Sequence, residues 1–225
     1  MTATHVSDHE AKARDRFDDW SESQTFQRLR PWLAYVQGYV LDQIDWSRSP
    51  AVLDVACGSG WAVYETARRQ QGNGGLACGC DISEGMLRQR ASGPPAHDDT
   101  HFAAASAQSL PYQSGTFDAV ICTAAFHHFP VPEEALQEIR RVLRPGGKLL
   151  IADTCRDQSV GTWIWDRLHR WFEKGHVKYY RTDELLSLLR GAGFERVELN
   201  ELAPTYAQTK KLIRKAGIFS AIEPS

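Results

Sequence analysis

The chain has 225 residues, of which 42% are hydrophobic and 24% are charged, and its 28 acidic and 26 basic residues leave a formal charge of −2. This length is sufficient for one domain with a sizeable core. The basic residues are scattered along the chain, which argues against a nucleic-acid or membrane-surface partner and favours a small-molecule partner.

The polar N-terminus lacks the apolar core of a signal peptide, and no apolar run reaches the roughly 20 residues that span a bilayer. We therefore expect a cytoplasmic protein without a membrane span, working as a monomer or a homodimer. The five cysteines are an odd number without a CxxC pair, and no zinc-type spacing follows them, so we expect reduced core thiols and no metal. They are Cys57, Cys78, Cys80, Cys122 and Cys155.

Short apolar runs alternate with segments of helical periodicity, which predicts βα units and a parallel sheet. Helices are predicted at about 60–71, 83–91, 132–143 and 182–191. Strands are predicted near 51–56, 76–81, 101–105, 117–123, 148–153 and 194–199, with a last antiparallel strand within 217–225. The expected fold is α/β: a doubly wound, mostly parallel sheet of seven strands with helices on both faces.

Two segments lie outside this alternation and are candidates for covering a site. Residues 8–46 are expected to form one or two helices before the first strand, and residues 156–181 form an aromatic-rich insertion after the fifth. No linker or repeat separates these segments from the rest. We therefore expect a single domain over residues 1–225.

The first predicted strand runs into a glycine turn, in residues 52–69 (VLDVACGSGWAVYETARR). In open α/β sheets, ligands bind outside the carboxyl ends of the strands, where glycine lets the backbone come close. A phosphate loop needs Lys and Ser or Thr after its last glycine, but Gly60 is followed by Trp61. A dinucleotide fingerprint needs a third glycine where Val63 stands, which disfavours that ligand.

The carboxylate of Asp54, at the end of this strand, would repel a pyrophosphate but attract a cation. The methionine part of S-adenosylmethionine, with its ammonium and sulfonium groups, fits that charge. Asp81 ends the second strand 21 positions after Gly60, where it would accept hydrogen bonds from ribose hydroxyls. A helix cap and a plain tight turn are the structural alternatives for either feature alone.

With these residues assembled, the chain resembles class I S-adenosylmethionine-dependent methyltransferases, in the small-molecule group that is similar to the ubiquinone and menaquinone biosynthesis enzymes. The resemblance extends over nearly the whole chain. It rests on the ordered segments RFDDWSES, VLDVACGSG, CDISEGML, SAQSLPYQSGTFDAVICTAAFHHF, EEALQEIRRVLRPGGKLLIAD and HVKYYRTDELLSLLRGAGF. These segments are specific for fold and cofactor, and much less specific for the methyl acceptor.

The resemblance implies roles for individual residues in binding S-adenosylmethionine and its product S-adenosylhomocysteine. Ser106 stands where an acidic residue commonly receives the adenine amino group, which implies weaker adenine contacts, and Ala56 replaces the first glycine of the usual loop. The implied cofactor-binding residues are Asp54, Ala56, Gly58 and Gly60 in the loop, Asp81 at the ribose, Ile82, Ser106 and Ala107 at the adenine, and Phe17 and Trp20 in the covering segment.

The predicted fourth strand ends in a histidine pair, at the edge where a substrate should lie. Imidazole is a suitable base near neutral pH for a hydroxyl acceptor. His127 is preferred over His128 because Asp153, at the end of the fifth strand, is placed to orient it. The structural alternative is that either ring only packs against the cofactor or caps the following loop.

The acceptor is expected to be small and aromatic or lipophilic, because aromatic side chains of the insertion would line a dry site. Helical spacing makes plain core packing their alternative role. O-methylation with a histidine base is our leading hypothesis; C- or N-methylation, or a cofactor-binding subunit without turnover, are the alternatives. The aromatic residues concerned are Trp163, Trp165, Trp171, Phe172, Tyr179 and Tyr180.

Overall fold

Seven strands form one sheet in the computed structural model, which describes residues 3–48, 50–70, 74–89, 100–157, 177–201 and 217–225. They are β1 (Val52–Val55), β2 (Ala77–Asp81), β3 (Thr100–Ala104), β4 (Phe117–Thr123), β5 (Leu143–Asp153), β6 (Glu195–Glu201) and β7 (Gly217–Ile222). Their order is β3-β2-β1-β4-β5-β7-β6, with β1 to β5 parallel and β7 antiparallel to both its neighbours. The predicted mostly parallel sheet, with an antiparallel last strand, is confirmed.

Six α-helices belong to the described ranges. They are α1 (Ala3–Ser21), α2 (Gln24–Leu41), α3 (Trp61–Gln70), α4 (Glu84–Arg88), α5 (Pro132–Val142) and α6 (Thr182–Gly191). The N-terminal segment forms two helices, because the side chain of Ser23 accepts the backbone N–H of Phe26 and caps a new helix. The aromatic-rich insertion lies largely outside the described residues, which stop at 157 and resume at 177.

The two faces of the sheet carry separate apolar cores. Alternate residues of each central strand point to opposite faces, so Leu53 lies in one core and Val52 in the other. Helices α5 and α6 cover the first face, whereas α2 and α3 cover the second. Burial on both faces explains why the central strands are continuous apolar runs in the sequence.

Strand β5 begins earlier than the sequence predicts. The sequence predicts a helix at 132–143 and a strand at 148–153, with Arg144 to Gly147 between them. In the structure, Leu143 already pairs with Phe117 in the sheet. The register then shifts between Phe117 and Ala119, which makes a bulge. The bulged segment is held at the end of the sheet, because Gly146 N–H donates to Glu223 and Glu223 N–H donates to Gly147.

The parallel arrangement brings the carboxyl ends of β1, β2, β4 and β5 to the same edge of the sheet. Asp54, Asp81 and Asp153 lie at or beside those ends, and His127 follows β4 in a short 3₁₀ turn, Phe126–His128. Within the described ranges, no helix combines the length and apolarity that crossing a bilayer requires.

Candidate active site

A cavity of about 400 Å³ lies at this carboxyl edge. Its floor is formed by the loops that follow β1, β2, β3 and β4, and α1 and α2 add further lining residues. The volume is within the range of small-molecule sites, about 300–1,000 Å³. Residues of α1 and α2 thus line the cavity, whereas the covering role suggested for residues 8–46 stays a prediction.

The glycine turn after β1 adopts backbone angles that favour glycine. Ala56, Gly58 and Gly60 have φ values of 60°, 56° and 77°. A Cβ at Gly58 would meet nothing among the described residues within 4 Å, so its backbone is open to a ligand. A Cβ at Gly60 would instead lie 2.5 Å from the ring of Phe102. One glycine therefore allows close approach of a ligand, and the other allows the loop to pack on β3.

Val63 stands where a dinucleotide fold has its third glycine, and the structure shows how it is accommodated. The close approach of α3 to the sheet is made possible by Gly79 on β2, because a Cβ there would lie 2.7 Å from Val63 and 2.8 Å from the sulfur of Cys57. The small residue that permits this close packing therefore lies on the strand and not on the helix. Sequence reasoning missed Gly79, although a glycine inside an apolar strand is a signal for such close packing.

Asp54 is 2% exposed, and neither of its carboxylate oxygens has a hydrogen-bond partner among the described residues. Burial raises its pKa well above the usual value, and the charge of Asp81 adds to this effect. The side chain lies under the glycine turn and is not part of the cavity wall. A buried carboxylate without donors is costly, and a cationic ligand on the turn above it would relieve that cost.

Asp81 lines the cavity and holds the two loops beside it. Its carboxylate accepts the backbone N–H of Gly58 at 2.8 Å and that of Ser83 at 2.8 Å. Each oxygen retains a lone pair for a further donor such as a ribose hydroxyl. Burial raises the pKa of Asp81 to about 6, against the opposing effect of these backbone hydrogen bonds.

The raised pKa of Asp81 predicts that binding of S-adenosylhomocysteine depends on pH. The carboxylate accepts ribose hydrogen bonds more strongly when ionised, and protonation turns one of its oxygens into a donor, so ligand binding should lower its pKa below the value of about 6 in the free protein. Affinity should therefore fall as the pH drops through 6, by up to about tenfold per pH unit. Titration calorimetry between pH 8 and 5 checks this, and Asp81→Asn should bind more weakly and lack this step. An equal step in Asp81→Asn would contradict the assignment.

Helix α1 is fastened to the loops that follow β2. The carboxylate of Asp18 accepts the hydroxyl of Ser83 at 2.6 Å and the backbone N–H of Gly85 at 2.7 Å. A Cβ at Gly85 would lie 2.8 Å from Cα of Asp18, so the helix can sit this close only over a glycine. This contact places Phe17 and Trp20 in the cavity wall, as the resemblance implies. Sequence reasoning missed Asp18, which carries no local signal for this contact.

The loops after β2 and β3 bring the residues assigned to adenine to the same wall. Ile82, Ser106 and Ala107 all line the cavity. The hydroxyl of Ser106 donates to the carboxylate of Glu10 on α1 and accepts the backbone N–H of Gln108 at 3.1 Å. Glu10, which the sequence analysis did not single out, also lines the cavity.

His127 is paired with Asp153 beneath the covering helices. Its Nδ1 lies 2.8 Å and 3.0 Å from the two carboxylate oxygens, and its backbone N–H donates to the same carboxylate. The His127 side chain is 9% exposed, and the ring lines the cavity. A carboxylate only accepts hydrogen bonds, so Nδ1 is the donor of this pair, and in a neutral imidazole this leaves the lone pair on Nε2.

His128 occupies a different environment from its neighbour. Its ring lies 4.0 Å from that of His127, between centroids, and meets the ring of Phe17 edge-on at 4.9 Å. It therefore touches the covering helix, whereas the carboxylate at the end of β5 pairs with His127. Both imidazoles lie on the cavity wall, so neither catalytic role is excluded by position.

Helix α2 contributes several apolar side chains to the cavity wall, namely Phe26, Leu29, Trp32 and Leu33. Of the predicted aromatic residues of the insertion, Trp163 to Phe172 lie outside the described residues. Tyr179 lines the cavity, with its ring 4.7 Å from that of His127. Tyr180 instead packs on Phe126 in the core.

Together, the fold and this site define an α/β domain for a cofactor that carries both a nucleoside and a cation. The orphaned carboxylate of Asp54, the open backbone at Gly58 and the acceptor at Asp81 fit S-adenosylmethionine in charge and hydrogen bonding. The cysteines, all free and buried, pack in the core as expected.

Comparisons with known proteins lead to the same cofactor. Residues 53–151 match a family described as a methyltransferase domain. Methyltransferase GfsG of Streptomyces halstedii is 35% identical over 50% of this chain and 40% of its own length. Demethylmenaquinone methyltransferase of Bacillus mycoides is 27% identical over 78% and 69%. O-methyltransferase cnsE of Penicillium expansum is 29% identical over 74% and 60%. This chain thus spans only part of these curated relatives.

Solved structures show the same fold. A putative methyltransferase from Haloferax volcanii, in complex with the Trm112 methyltransferase activator, has a TM-score of 0.77 at 20% identity, covering 95% of this chain and 98% of that one. The [4+2]-cyclase SpnF has a TM-score of 0.66 at 20% identity, covering 85% and 81%. These neighbours share the fold of this chain, and the match of residues 53–151 to a methyltransferase domain implies S-adenosylmethionine as the cofactor.

Proposed function

We propose that this protein transfers a methyl group from S-adenosylmethionine to a hydroxyl oxygen of a small aromatic or lipophilic acceptor, with His127 as the base. The observation that carries the proposal is the buried pair of His127 and Asp153 on the cavity wall, with Nδ1 and Oδ1 2.8 Å apart. Pairs of a base and an orienting carboxylate are typical of sites that remove a proton from a nucleophile.

When bound, the cofactor supplies a methyl group on a positively charged sulfur, and S-adenosylhomocysteine is the product. His127 takes the proton of the acceptor hydroxyl at Nε2, which makes the oxygen a stronger nucleophile. Asp153 keeps the imidazole in the tautomer that can accept this proton and stabilises the imidazolium that results. Because Asp153 also accepts the backbone N–H groups of His127 and Thr154, the carboxylate is held in place.

The nature of the cavity wall supports the acceptor class. Phe26, Leu29, Trp32 and Leu33 offer an apolar surface from α2, next to the histidine pair. The same helix also brings polar side chains to the cavity, namely Thr25, Arg30 and Gln37, and the Gln37 amide donates to the hydroxyl of Thr123 at 3.1 Å. The apolar surface beside the histidine pair favours a planar or lipophilic molecule and keeps water from the reacting atoms.

C-methylation of a quinone precursor is the main alternative, favoured by the names of relatives. Demethylmenaquinone methyltransferase aligns with 78% of this chain, and a UbiE C-methyltransferase of Cereibacter sphaeroides is 32% identical over 52% of it. N-methylation of a neutral amine would also need less from a histidine. The O-methyltransferase cnsE, which aligns with 74% of the chain, supports the oxygen acceptor.

The test is transfer of carbon-13 methyl from S-adenosylmethionine into a cell extract that is afterwards separated into small molecules, proteins and nucleic acids. We expect the label in the small-molecule fraction, with the chemical shift of an O-methyl carbon. A C-methyl or N-methyl signal would replace the proposal by the corresponding alternative. Label found only in protein or nucleic acid would overturn the small-molecule acceptor itself.

A cofactor-binding subunit without turnover is the alternative from another class. It would bind S-adenosylhomocysteine tightly and yet label no fraction of the extract or of a panel of phenols and quinone precursors. The neighbour in complex with the Trm112 activator shows that one protein of this fold has a protein partner. For this chain we propose a monomer or a homodimer, which light scattering of the pure protein tests.

A further inference from the structure

The loop after β3 has no acidic residue of its own. The carboxylate of Glu10 contacts this loop. Ser106 follows β3 in that loop, and its hydroxyl donates to Oε1 of Glu10. The two residues are 96 positions apart in the chain, and α1 brings them together. Both line the cavity beside Ile82 and Ala107.

The expected position of the adenine follows from the positions assigned above to two other parts of the cofactor, the methionine and the ribose. The cationic methionine end belongs on the glycine turn above Asp54, and the ribose belongs on Asp81 at the end of β2. Strand β3 is the next strand outward from β2 in the sheet. The base must therefore extend from Asp81 towards the loop after β3, where Ser106 and Glu10 meet.

We infer that Glu10 receives the exocyclic amino group of the adenine and so selects this base. A carboxylate only accepts hydrogen bonds, and it has lone pairs left after accepting the one from Ser106. The amino group of adenine is a donor that matches it. If the base carried a carbonyl oxygen at this position, that oxygen and the carboxylate of Glu10 would both be acceptors, with no proton between them.

The neighbouring contacts give Glu10 a defined position. Ser106 itself is held by the backbone N–H of Gln108 at 3.1 Å, so the hydroxyl that it offers to Glu10 is oriented. Further along α1, Asp18 is fixed to Ser83 and Gly85. Two contacts thus anchor α1, one through Glu10 to the loop after β3 and one through Asp18 to the residues after β2.

This inference concerns the cofactor and is independent of the acceptor and of His127. It is tested by the affinities of S-adenosylhomocysteine and S-inosylhomocysteine, in which an oxygen replaces the amino group. In the wild type we expect the adenosyl ligand to bind at least about tenfold more tightly, as for a hydrogen bond to a charged group. In Glu10→Gln, whose amide can donate to the oxygen, this preference should fall by about tenfold or more.

The matched control is Asp15→Asn, which removes one negative charge from α1 at a side chain that is 76% exposed. It should leave the ratio of the two dissociation constants unchanged. If Glu10→Gln weakens both ligands equally and keeps the wild-type ratio, Glu10 serves only to seat α1 and the inference is wrong.

A second variant decides the matter if Glu10→Gln binds neither ligand measurably. Ser106→Ala keeps the Glu10 carboxylate but removes the hydroxyl that orients it. A fall in the adenosyl preference by about threefold or more would support the inference, in line with the loss of one orienting hydrogen bond. An unchanged preference in Ser106→Ala would overturn it.

Discussion

His127→Asn is expected to lower kcat by about 10²- to 10⁴-fold, the usual contribution of a positioned general base. The affinity for S-adenosylhomocysteine should change by less than about threefold, because the substitution leaves the glycine turn and Asp81 untouched. Single-turnover methyl transfer to an identified acceptor measures the first quantity, and calorimetry measures the second. His101→Asn, at an exposed histidine on β3, is the matched control and should keep full activity.

A series of acceptors with increasingly acidic hydroxyl groups separates a base from a packing residue. An acidic phenol is already ionised and needs no base, so the defect of His127→Asn should shrink as the acceptor becomes more acidic. Asp153→Asn should follow the same trend, since Asp153 acts by positioning His127. A defect that is the same for every acceptor, or that is matched by lost cofactor affinity, would argue that the pair only supports the fold.

Asp54→Asn is expected to have opposite effects on stability and on cofactor binding. The Asp54 carboxyl group is buried without a hydrogen-bond partner among the described residues and is costly to ionise, so a neutral amide of the same shape should raise the free energy of unfolding by roughly 1–2 kcal/mol. The same change removes the charge that attracts the cationic end of the cofactor. We expect affinity for S-adenosylmethionine to fall by about 10- to 150-fold, the range for hydrogen bonds to charged groups.

The stability effect should depend on pH with a defined sign. Because the pKa of Asp54 in the folded protein lies well above 3.8, ionisation costs stability progressively as the pH rises from about that value towards the folded-state pKa. The stabilisation by Asp54→Asn should therefore be small near pH 4 and larger at neutral pH. Chemical denaturation at several pH values measures it, with Asp19→Asn, at an exposed position on α1, as the control.

At saturating S-adenosylmethionine, the wild type should become more stable than Asp54→Asn, which reverses their order without ligand. A ligand stabilises the form that it binds more tightly, so the wild type should gain more than the variant. Two findings would contradict the role of Asp54: a variant less stable than the wild type without ligand, or equal affinity for the cofactor in both proteins.

The parts of the site that the sequence predicts lie at strand ends. Asp54, Asp81 and Asp153 each follow an apolar run, and parallel strands bring their carboxyl ends to one edge, so their proximity follows from the alternation of elements. His127 belongs to this group, because it comes directly after β4. The distance of 2.8 Å between His127 and Asp153 agrees with the expected contact, whereas the catalytic role of the pair stays a prediction.

Other features depend on packing between distant segments. Gly79 admits Val63, Asp18 reaches Ser83 across 65 positions, and Glu10 reaches Ser106 across 96. The glycine inside β2 signals close packing but does not identify Val63 as its partner, and no local pattern in the sequence encodes the other two pairs. They arise when helices dock on the sheet, and the angle and height of a docked helix depend on all the side chains beneath it.

The sequence by itself therefore determined the alternation of strands and helices, the glycine turn and the line of polar residues at the carboxyl edge, because each is written in local periodicity and residue type. Only the tertiary structure decided that β7 lies between β5 and β6, that α2 contributes apolar side chains to the cavity wall and that α1 brings Glu10 to Ser106. Those features depend on which surfaces bury each other, and that choice is made by the whole chain at once.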